Sequence, residues 1–306
     1  MIAWVLGRGG LVGSSVEAKL LSRSTVWAPE SPIQWDNKFL FENTFKQAME
    51  QFTQSISNDD WAILWCAGNN VVSSSIEDLR REGEFIAFIC LQLSLLPRSL
   101  QSRGILSFTS SAGGVYGGSS GRIFSEVTVP KPINEYGFAK LKTEEQLLEF
   151  TKQSNLSVVI FRLANIYGPG QDLSKSQGII SAITNSLHYH KPVNIFVPLK
   201  TVRNFIYADD AGEVIARYIT QLANDRKSNI FLKVVASDRN ISLSSLMNEF
   251  RLVYGRRPMV VNTVSKSAAD HPINLQLQSI VDDSSQNLSF TPLAVGINRV
   301  RQGFFS

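Results

Sequence analysis

The chain has 306 residues, of which 43% are hydrophobic and 18% are charged, so it can bury a sizeable core and is neither disordered nor fibrous. Its richest apolar run, FIAFICL at Phe85–Leu91, is far shorter than the roughly 18 residues that a membrane span needs. The net charge of +4 would suit an anionic ligand, but the basic residues are scattered, which argues against nucleic-acid binding.

Strands and helices are predicted to alternate through the first half of the chain. Short apolar runs predict strands at IAWVLG, STVWAP, WAILWCAG, GILSFTSS and LSVVIFRLA. Apolar residues at helical spacing predict helices at SSVEAKLLSR, NTFKQAMEQFTQ, IEDLRREGEFIAFICLQLSLL and YGFAKLKTEEQLLEFTKQ. This alternation predicts an α/β fold with a Rossmann-like, doubly wound parallel sheet covered by helices on both faces.

A regularly spaced set of glycines lies between the first predicted strand and the first predicted helix. Gly7, Gly10 and Gly13 stand three residues apart in VLGRGGLVGSS. A helix N-terminus presents free N–H groups and a partial positive charge, and glycines let a phosphate approach the backbone closely. The motif therefore predicts binding of a dinucleotide at its pyrophosphate, and the alternative is a tight strand-to-helix turn without a ligand.

The identity of the dinucleotide, NAD or NADP, stays open at this point. In NAD-binding folds an acidic residue about 20 positions after the glycines accepts the ribose 2′-hydroxyl, and in NADP-binding folds an arginine meets the 2′-phosphate. Here the second predicted strand ends in Trp27, Ala28 and Pro29, and Glu30 comes late. Arg8, within the glycine loop, is either a phosphate ligand or a solvated surface arginine.

Tyr136 and Lys140, in the segment YGFAK, are four residues apart on a predicted helix and therefore share a face. A tyrosine hydroxyl is a poor base at neutral pH, but an ammonium group one turn away and a cationic nicotinamide both favour its phenolate. Tyr136 is then able to remove a proton from a sugar hydroxyl while a hydride leaves the same carbon. The alternative is a helix face with a partly buried tyrosine.

The second half of the chain has a different pattern, because prolines and short mixed segments become frequent from about Gly168. It is interpreted as a second, smaller α/β substrate domain, with two returns to the first sheet at RNFIYADD and NIFLKVV. The predicted dinucleotide-binding domain comprises residues 1–168 and 204–236. The predicted substrate domain comprises residues 169–203 and 237–306.

Several motifs together resemble one family. FRLANIYGPG is similar to its Arg-x-x-Asn-x-Tyr-Gly-Pro signature, RNFIYADDAG to its Arg-Asp-Phe-Ile-Tyr-Val-Asp-Asp segment, and LSFTPLAVGI to its usual ending. With the glycines and YGFAK, these motifs span nearly the whole chain. The chain resembles the extended short-chain dehydrogenases/reductases of the NAD-dependent epimerase/dehydratase family, whose members mostly act on nucleotide sugars.

The resemblance implies roles for particular residues. Tyr136 would be the acid/base, and Lys140 would hold the cofactor ribose and favour the tyrosine's phenolate. Asn165 would contact the phosphates or sugar of the substrate, and Arg203 its diphosphate. The residues expected to bind the cofactor are Gly7, Arg8, Gly10, Leu11, Val12, Gly13, Ala67, Ser110, Tyr136, Lys140 and Leu163. Those expected to bind the substrate are Ser111, Tyr116, Asn165 and Arg203.

The chain departs from the family pattern after its fourth predicted strand. Ala112 stands where many relatives have the catalytic hydroxyl residue, so Ser111 is expected to replace it, with Ser110 as an alternative and a structural serine as another. Gly113 and Gly114 replace the Asp-Glu pair of the family's dehydratases, which argues against dehydration. The expected activity is therefore that of a nucleotide-sugar 4-epimerase or 4-keto-reductase, and the alternatives are a non-catalytic cofactor-binding sensor or scaffold and a dehydratase.

The resemblance also implies a homodimer, formed through the helices at Phe85–Leu96 and Tyr136–Gln153. No metal site is predicted, since His188 and His190 project to different sides of a helix end. Cys66 and Cys90 are interpreted as packing residues. Two cysteines without a disulfide or zinc pattern are typical of a reduced, cytoplasmic setting.

Overall fold

The structure is a computed structural model that describes residues 1–68, 70–72, 74–171, 178–225, 230–262, 274–281 and 287–303. The strands are β1 (Ile2–Leu6), β2 (Thr25–Trp27), β3 (Trp61–Trp65), β4 (Gly104–Ser111), β5 (Ile123–Phe124), β6 (Ser157–Leu163), β7 (Asn165–Tyr167), β8 (Val193–Ile195), β9 (Val202–Tyr207), β10 (Ile230–Val235), β11 (Asn240–Ser242), β12 (Val260–Asn262) and β13 (Gln276–Leu277). The helices are α1 (Leu11–Leu20), α2 (Lys38–Ile56), α3 (Ile76–Ser94), α4 (Arg98–Gln101), α5 (Ala112–Val115), α6 (Glu135–Gln153), α7 (Ile179–His188), α8 (Ala208–Asp225), α9 (Leu243–Tyr254) and α10 (Leu293–Gln302).

The main sheet has six parallel strands in the order β10-β6-β4-β3-β1-β2. The chain starts at β1, adds β2 on one side of it and then β3, β4, β6 and β10 on the other, which confirms the predicted doubly wound α/β fold. In such sheets, ligands bind at the carboxyl ends of the strands, where the strand order reverses. The glycine loop lies at this place, between β1 and β3.

Alternate residues of the strands pack on opposite faces of the main sheet, as the period of two requires. One face carries large side chains such as Trp4, Trp61 and Trp65, and it is covered by α2, α3 and part of α6. The other face carries smaller ones such as Ala3 and Ala62 and is covered by α1 and α8. The helices α3 and α6 therefore lie beside the carboxyl ends of β3 and β4.

A second core joins α7, α9 and α10 to a three-stranded sheet of order β11-β9-β7. The predicted return of RNFIYADD to the main sheet is wrong, because β9 pairs in parallel with β7 and antiparallel with β11. Only one residue, Ala164, separates β7 from β6, and its N–H donates to Val235 O of β10 at 2.9 Å. The chain leaves the main sheet there, and β9 pairs with the departing segment. NIFLKVV does return, as β10 beside β6, and the predicted domain boundaries stay predictions.

Three smaller observations complete the fold. His188 ends α7 and His190 follows it with a positive φ of 55°, which confirms the predicted helix end. Burial raises the pKa of both the Cys66 and the Cys90 thiols to about 12, so neither is a ready nucleophile and both pack as predicted. Among the described helices, none is both long and apolar enough to cross a membrane.

Candidate active site

Two of the three glycines at the end of β1 are required by the packing of the loop itself. Gly7 has a positive φ of 83°, and a Cβ on it would lie 2.5 Å from Ala67 Cα beyond β3. A Cβ on Gly13, in the first turn of α1, would lie 2.1 Å from Gly7 O. Both contacts are far too short for a real side chain, so these glycines bring the first turn of α1 onto the end of the sheet.

Gly10 leaves the open side of the loop accessible. It is the N-cap of α1, and no side chain there accepts a hydrogen bond from the first turn, which also lacks acidic residues. A Cβ on Gly10 would meet only Gly7 O, at 3.4 Å. The N–H groups of Leu11, Val12 and Gly13 therefore form an uncapped helix terminus with an unobstructed approach, which fits a pyrophosphate.

Arg8, in the glycine loop, is held by a residue of the helix that follows the loop. Its guanidinium forms an ion pair with the carboxylate of Glu17 on α1, while the side chain is about half exposed. Glu30, after β2, accepts a hydrogen bond from Gln51 Nε2 at 3.2 Å. Arg8 is therefore not a freely solvated arginine, its contact with the cofactor stays a prediction, and the choice between NAD and NADP stays open.

Tyr136 and Lys140 lie in the first two turns of α6. Asn134 caps this helix, because its Oδ1 accepts from the Gly137 N–H at 2.9 Å. Lys140 Nζ lies 5.8 Å from the centre of the Tyr136 ring, and the lysine is buried while the tyrosine is partly exposed. The structure thus places the two groups together, as their spacing predicts, with the tyrosine reachable from solvent.

The ammonium group of Lys140 has two hydrogen-bond acceptors within the protein. It donates to Thr109 O, near the end of β4, at 3.3 Å and to Glu82 Oε1, on α3, at 2.9 Å. Burial is the largest single influence on Lys140 and by itself lowers its pKa, but Glu82, Tyr136 and Glu144 together outweigh burial and raise that pKa above its ordinary value. Lys140 is therefore a charged, fixed group at neutral pH.

Glu82 is a residue of this site that the sequence analysis did not identify. A signal for it exists, because the buried positions of α3 include Leu79, Glu82, Phe85 and Ile86, and a glutamate at helical spacing within such a face needs a partner. Which group supplies that partner depends on packing between α3 and α6. Periodicity within one helix does not reveal it.

Ser110 and Ser111, at the end of β4, face opposite sides, as neighbouring strand residues do. Ser110 is buried, and its hydroxyl donates to Glu144 Oε1 at 2.6 Å. Ser111 Oγ accepts from the Gly114 N–H at 3.1 Å, which caps α5 and leaves the hydroxyl proton of Ser111 for another acceptor. Of the two serines, Ser111 is therefore the better donor to a substrate oxygen.

The short helix α5 brings Ser111 close to Tyr136. A Cβ on Gly114 would lie 3.2 Å from the Tyr136 ring, and a Cβ on Gly137 would lie 2.2 Å from Gly114 O. Side chains at these glycines would push α5 and α6 apart. Close packing of α5 against α6 therefore disfavours a side chain at Gly114, whereas a Cβ on Gly113 would make only ordinary contacts.

Tyr116 lies in a buried polar network rather than at the surface of the cleft. Its ring is fully buried, and its hydroxyl donates to Ser125 O at 2.7 Å and accepts from Arg162 Nη1 at 2.6 Å. Arg162 Nη2 in turn donates to Glu144 Oε2 at 2.6 Å. The arrangement contradicts the predicted substrate contact of Tyr116, because a fully buried ring offers no surface to a ligand.

Ala67 and Leu163, two further residues predicted to contact the cofactor, are partly exposed at the carboxyl edge of the main sheet. Ala67 follows β3 and touches the glycine loop, as described above. Leu163 ends β6 and is the register partner of Ser111 on β4. Both residues therefore lie on the same edge as the glycine loop, Ser111 and the start of α6.

Asn165 and Arg203 lie on neighbouring strands of the three-stranded sheet. Asn165 Nδ2 donates to Asn204 O on β9 at 2.9 Å, which leaves its amide oxygen for another donor. Arg203 Nη1 donates to Val202 O at 2.8 Å, and burial lowers the pKa of Arg203 to about 10. Within the described residues, no carboxylate forms an ion pair with Arg203, so this guanidinium is suited to an anionic ligand.

One segment connects Arg203 with the end of β4. The Leu275 N–H donates to Val202 O at 3.1 Å, next to Arg203. The Leu275 side chain lies 3.4 Å from the position of a Cβ on Gly113. The strand that carries Arg203 and the turn that follows Ser111 therefore pack on the same leucine, so they lie close together in the fold.

Comparisons with known proteins agree with this geometry. Residues 3–232 match the model of the NAD dependent epimerase/dehydratase family. Over 147 residues, 47% of the chain, it is 31% identical to dTDP-4-dehydro-6-deoxyglucose reductase of Escherichia coli, and the match spans 45% of that enzyme. The chain thus spans less than half the length of this relative.

Solved structures resemble the whole chain. UDP-glucuronic acid 4-epimerase from Bacillus cereus, in complex with UDP-glucuronic acid and NAD, has a TM-score of 0.73 at 18% identity, covering 100% of this chain and 99% of that chain. RMD from Pseudomonas aeruginosa, complexed with NADPH, has a TM-score of 0.74 at 17% identity, covering 99% and 98%. At such identities the likeness shows the fold. With the family match over more than half of its length, the chain belongs to the NAD dependent epimerase/dehydratase family.

Proposed function

We propose that the protein is an NAD- or NADP-dependent enzyme that transfers a hydride at a sugar carbon of a nucleotide sugar, as a 4-epimerase or a 4-keto-reductase. One observation carries the proposal: a buried, charged Lys140 lies beside a partly exposed Tyr136 at the carboxyl edge of the sheet, next to the uncapped N-terminus of α1. The tyrosine and lysine supply acid/base chemistry, and the N-terminus of α1 fits a dinucleotide.

Each residue has a role in this reaction. The loop of Gly7, Gly10 and Gly13 would hold the cofactor pyrophosphate, and the nicotinamide, when bound, supplies or accepts the hydride. Lys140 has one ammonium proton beyond those given to Glu82 and Thr109, and this proton is available to a ribose hydroxyl. Tyr136 gives a proton to the sugar oxygen or removes it, and Ser111 donates a hydrogen bond to that oxygen.

The substrate class follows from Arg203 and Asn165. A partly buried guanidinium without a carboxylate partner among the described residues suits a diphosphate, since the planar group donates to two phosphate oxygens at once. The solved relatives named above include one with UDP-glucuronic acid bound. A dehydratase is disfavoured, because Gly113 and Gly114 provide no acidic side chains to remove water from the sugar.

The proposal is tested by measuring turnover of the purified protein. UDP- and dTDP-linked 4-hydroxy and 4-keto hexoses are offered with NADH or NADPH, and the sugar products are identified by mass spectrometry and NMR. We expect turnover of at least one nucleotide sugar. Oxidised cofactor that stays bound through gel filtration favours the epimerase, and free exchange favours the reductase. Binding of cofactor and nucleotide sugar without any turnover would instead favour a sensor.

We also propose that the protein forms a homodimer through α3 and α6. These helices pack side by side and expose apolar side chains, since Leu91 and Leu95, one turn apart on α3, are 54% and 72% exposed, and Phe138 and Leu148 on α6 are 52% and 41% exposed. A second copy would cover this surface and form a four-helix bundle.

If the dimer forms through α3 and α6, negative charges on this surface are expected to prevent it from forming. The double variant Leu91→Glu and Leu95→Glu is expected to be monomeric, because two buried carboxylates per copy would be costly at the interface. Sedimentation equilibrium measures the mass of the wild-type protein and of the variant. A wild-type mass equal to that of one chain at micromolar concentration contradicts the dimer, and a variant that stays dimeric contradicts the interface through α3 and α6.

A further inference from the structure

We infer that Glu82 is a positioning residue of this site: its carboxylate holds the Lys140 ammonium and offsets its charge, so that Tyr136 remains a phenol at neutral pH and the site favours reduction of a keto sugar. The inference rests on the proposed function and deepens it. It selects the keto form of a nucleotide sugar as the substrate class and the 4-keto-reductase as the activity.

The carboxylate of Glu82 is held from several directions. Glu82 is 7% exposed and Lys140 is 5% exposed, so solvent does not screen their 2.9 Å contact. The same oxygen, Oε1, accepts from Trp65 Nε1 at 3.1 Å, and Oε2 accepts from Asn70 Nδ2 at 3.4 Å. Trp65 is itself fixed by edge-on packing against Trp35, with ring centres 5.7 Å apart. The Glu82–Lys140 ion pair is therefore held in a fixed geometry by the surrounding residues.

The other charged groups near this pair already have partners. Glu144, one turn after Lys140 on α6, is bound by Arg162 from β6 at 2.6 Å. On α3, Glu84 forms an ion pair with Arg80 and lies 3.9 Å from Lys38 of α2.

The remaining neighbours of the Glu82–Lys140 pair add little net charge beside it. Arg81, also on α3, lies 3.7 Å from Glu77 and 3.6 Å from Asp78. β4 contributes a neutral carbonyl at Thr109 and the ring of Phe108, 4.8 Å from Lys140 Nζ. Among the described residues, Glu82 is the carboxylate that directly contacts the ammonium.

This balance of charge affects the direction of the chemistry. An unpaired ammonium beside a phenol favours the phenolate, whereas an ammonium paired with a carboxylate has little net charge and does so much less. Oxidation of a sugar alcohol needs the phenolate as base. Reduction of a keto sugar needs the phenol as acid, and a paired Lys140 keeps Tyr136 in that form.

The reduction is balanced in atoms and electrons. A hydride from the reduced nicotinamide cofactor forms the new C–H bond, the π bond of the sugar C=O breaks, and its electron pair takes the proton of Tyr136 to give the alcohol. The cofactor leaves oxidised by two electrons. Solvent water returns a proton to Tyr136, and Glu82 and Lys140 remain an ion pair throughout.

The test is a titration of Tyr136 itself, so it needs no substrate. Ultraviolet absorbance of tyrosinate is followed against pH for the protein with saturating NAD⁺, and the curve of the same protein carrying Tyr136→Phe is subtracted. In Glu82→Gln, which is isosteric and uncharged, the midpoint of the Tyr136 curve is expected about one pH unit lower than in the wild type. Glu82→Asp, which keeps the charge but draws it back, is expected to lie between the two.

A matched control is Glu84→Gln, which removes one negative charge from the same helix at a position that faces Arg80 instead of Lys140. It is expected to leave the midpoint unchanged. Equal midpoints in the wild type and Glu82→Gln, or an equal shift in Glu84→Gln, would overturn the inference. Thermal melting shows whether Glu82→Gln folds. If it does not fold, Glu82→Asp is titrated instead, and a Tyr136 midpoint at or above the wild-type value overturns the inference.

A second measurement tests whether Glu82 affects the relative rates of reduction and oxidation. With a substrate pair from the turnover assay, Glu82→Gln is expected to lower the ratio of kcat for reduction to kcat for oxidation, each at saturating substrate and cofactor, about tenfold at neutral pH. An unchanged ratio counts against the inference. A protein that turns over no nucleotide sugar refutes the proposed function, while the titration still decides what Glu82 does to Tyr136, so the two failures are distinguishable.

Discussion

Tyr136→Phe is expected to lower kcat by about 10²–10⁴-fold, the usual contribution of a positioned acid/base group. The variant loses only the hydroxyl that exchanges a proton with the sugar oxygen. Its ring still packs against Gly114 and stays beside Lys140. The affinity for the cofactor is therefore expected to be unchanged. Steady-state kinetics with the nucleotide sugar found in the turnover assay gives kcat, and quenching of tryptophan fluorescence by NADH gives the Kd.

Tyr189→Phe is the matched control for this variant. Tyr189 follows α7, outside the main sheet, and its side chain is 58% exposed. Its loss of a hydroxyl is expected to leave kcat at the wild-type value. Wild-type kcat in Tyr136→Phe would show that another group exchanges the proton, and the proposed role of Tyr136 would be wrong.

Glu144→Gln is expected to lower the free energy of unfolding by about 3–5 kcal/mol, the typical cost of leaving a buried charge without its partner. The Arg162 guanidinium donates to both oxygens of Glu144, and the Ser110 hydroxyl donates to one of them. All of these groups are buried, so water does not replace the lost charge. Urea denaturation, followed by circular dichroism, measures the change.

Glu149→Gln is the control for this second prediction. Glu149 lies on the same helix as Glu144 and bonds Lys152 at 2.7 Å, but both of these side chains are exposed. Surface ion pairs add little to stability, because solvent screens them. The variant is expected to unfold at the wild-type urea concentration. Equal urea midpoints for Glu144→Gln and Glu149→Gln would contradict the structural role assigned to the buried network.

Local patterns were sufficient for the main sheet and for the two central groups of the site. The strand at Ile2–Leu6, the spaced glycines and the helix that follows are contiguous, so their order alone predicts a phosphate-binding turn. Tyr136 and Lys140 share a face because one helical turn separates them. Relations within a few residues are determined by backbone geometry, and the sequence displays them directly.

Pairings between distant segments were not readable in this way. RNFIYADD has the composition of a strand, yet composition does not say which sheet it joins, and β9 pairs with β7 and β11 rather than with the main sheet. Strand alternation shows that Ser110 and Ser111 face opposite sides, but only the position of Glu144 on α6 decides which hydroxyl is buried. In both cases the deciding partner is far away along the chain.

The same distinction applies to the charges of the site. The amino-acid sequence alone determined a doubly wound sheet, a glycine-rich turn between its first strand and first helix, and a tyrosine and a lysine on one helix face. Only the tertiary structure decided that Glu82 pairs with Lys140 and that Arg162 links the Tyr116 hydroxyl to Glu144. The physical reason is that a buried charge needs a partner, whereas which partner reaches it depends on how helices and strands pack across the core.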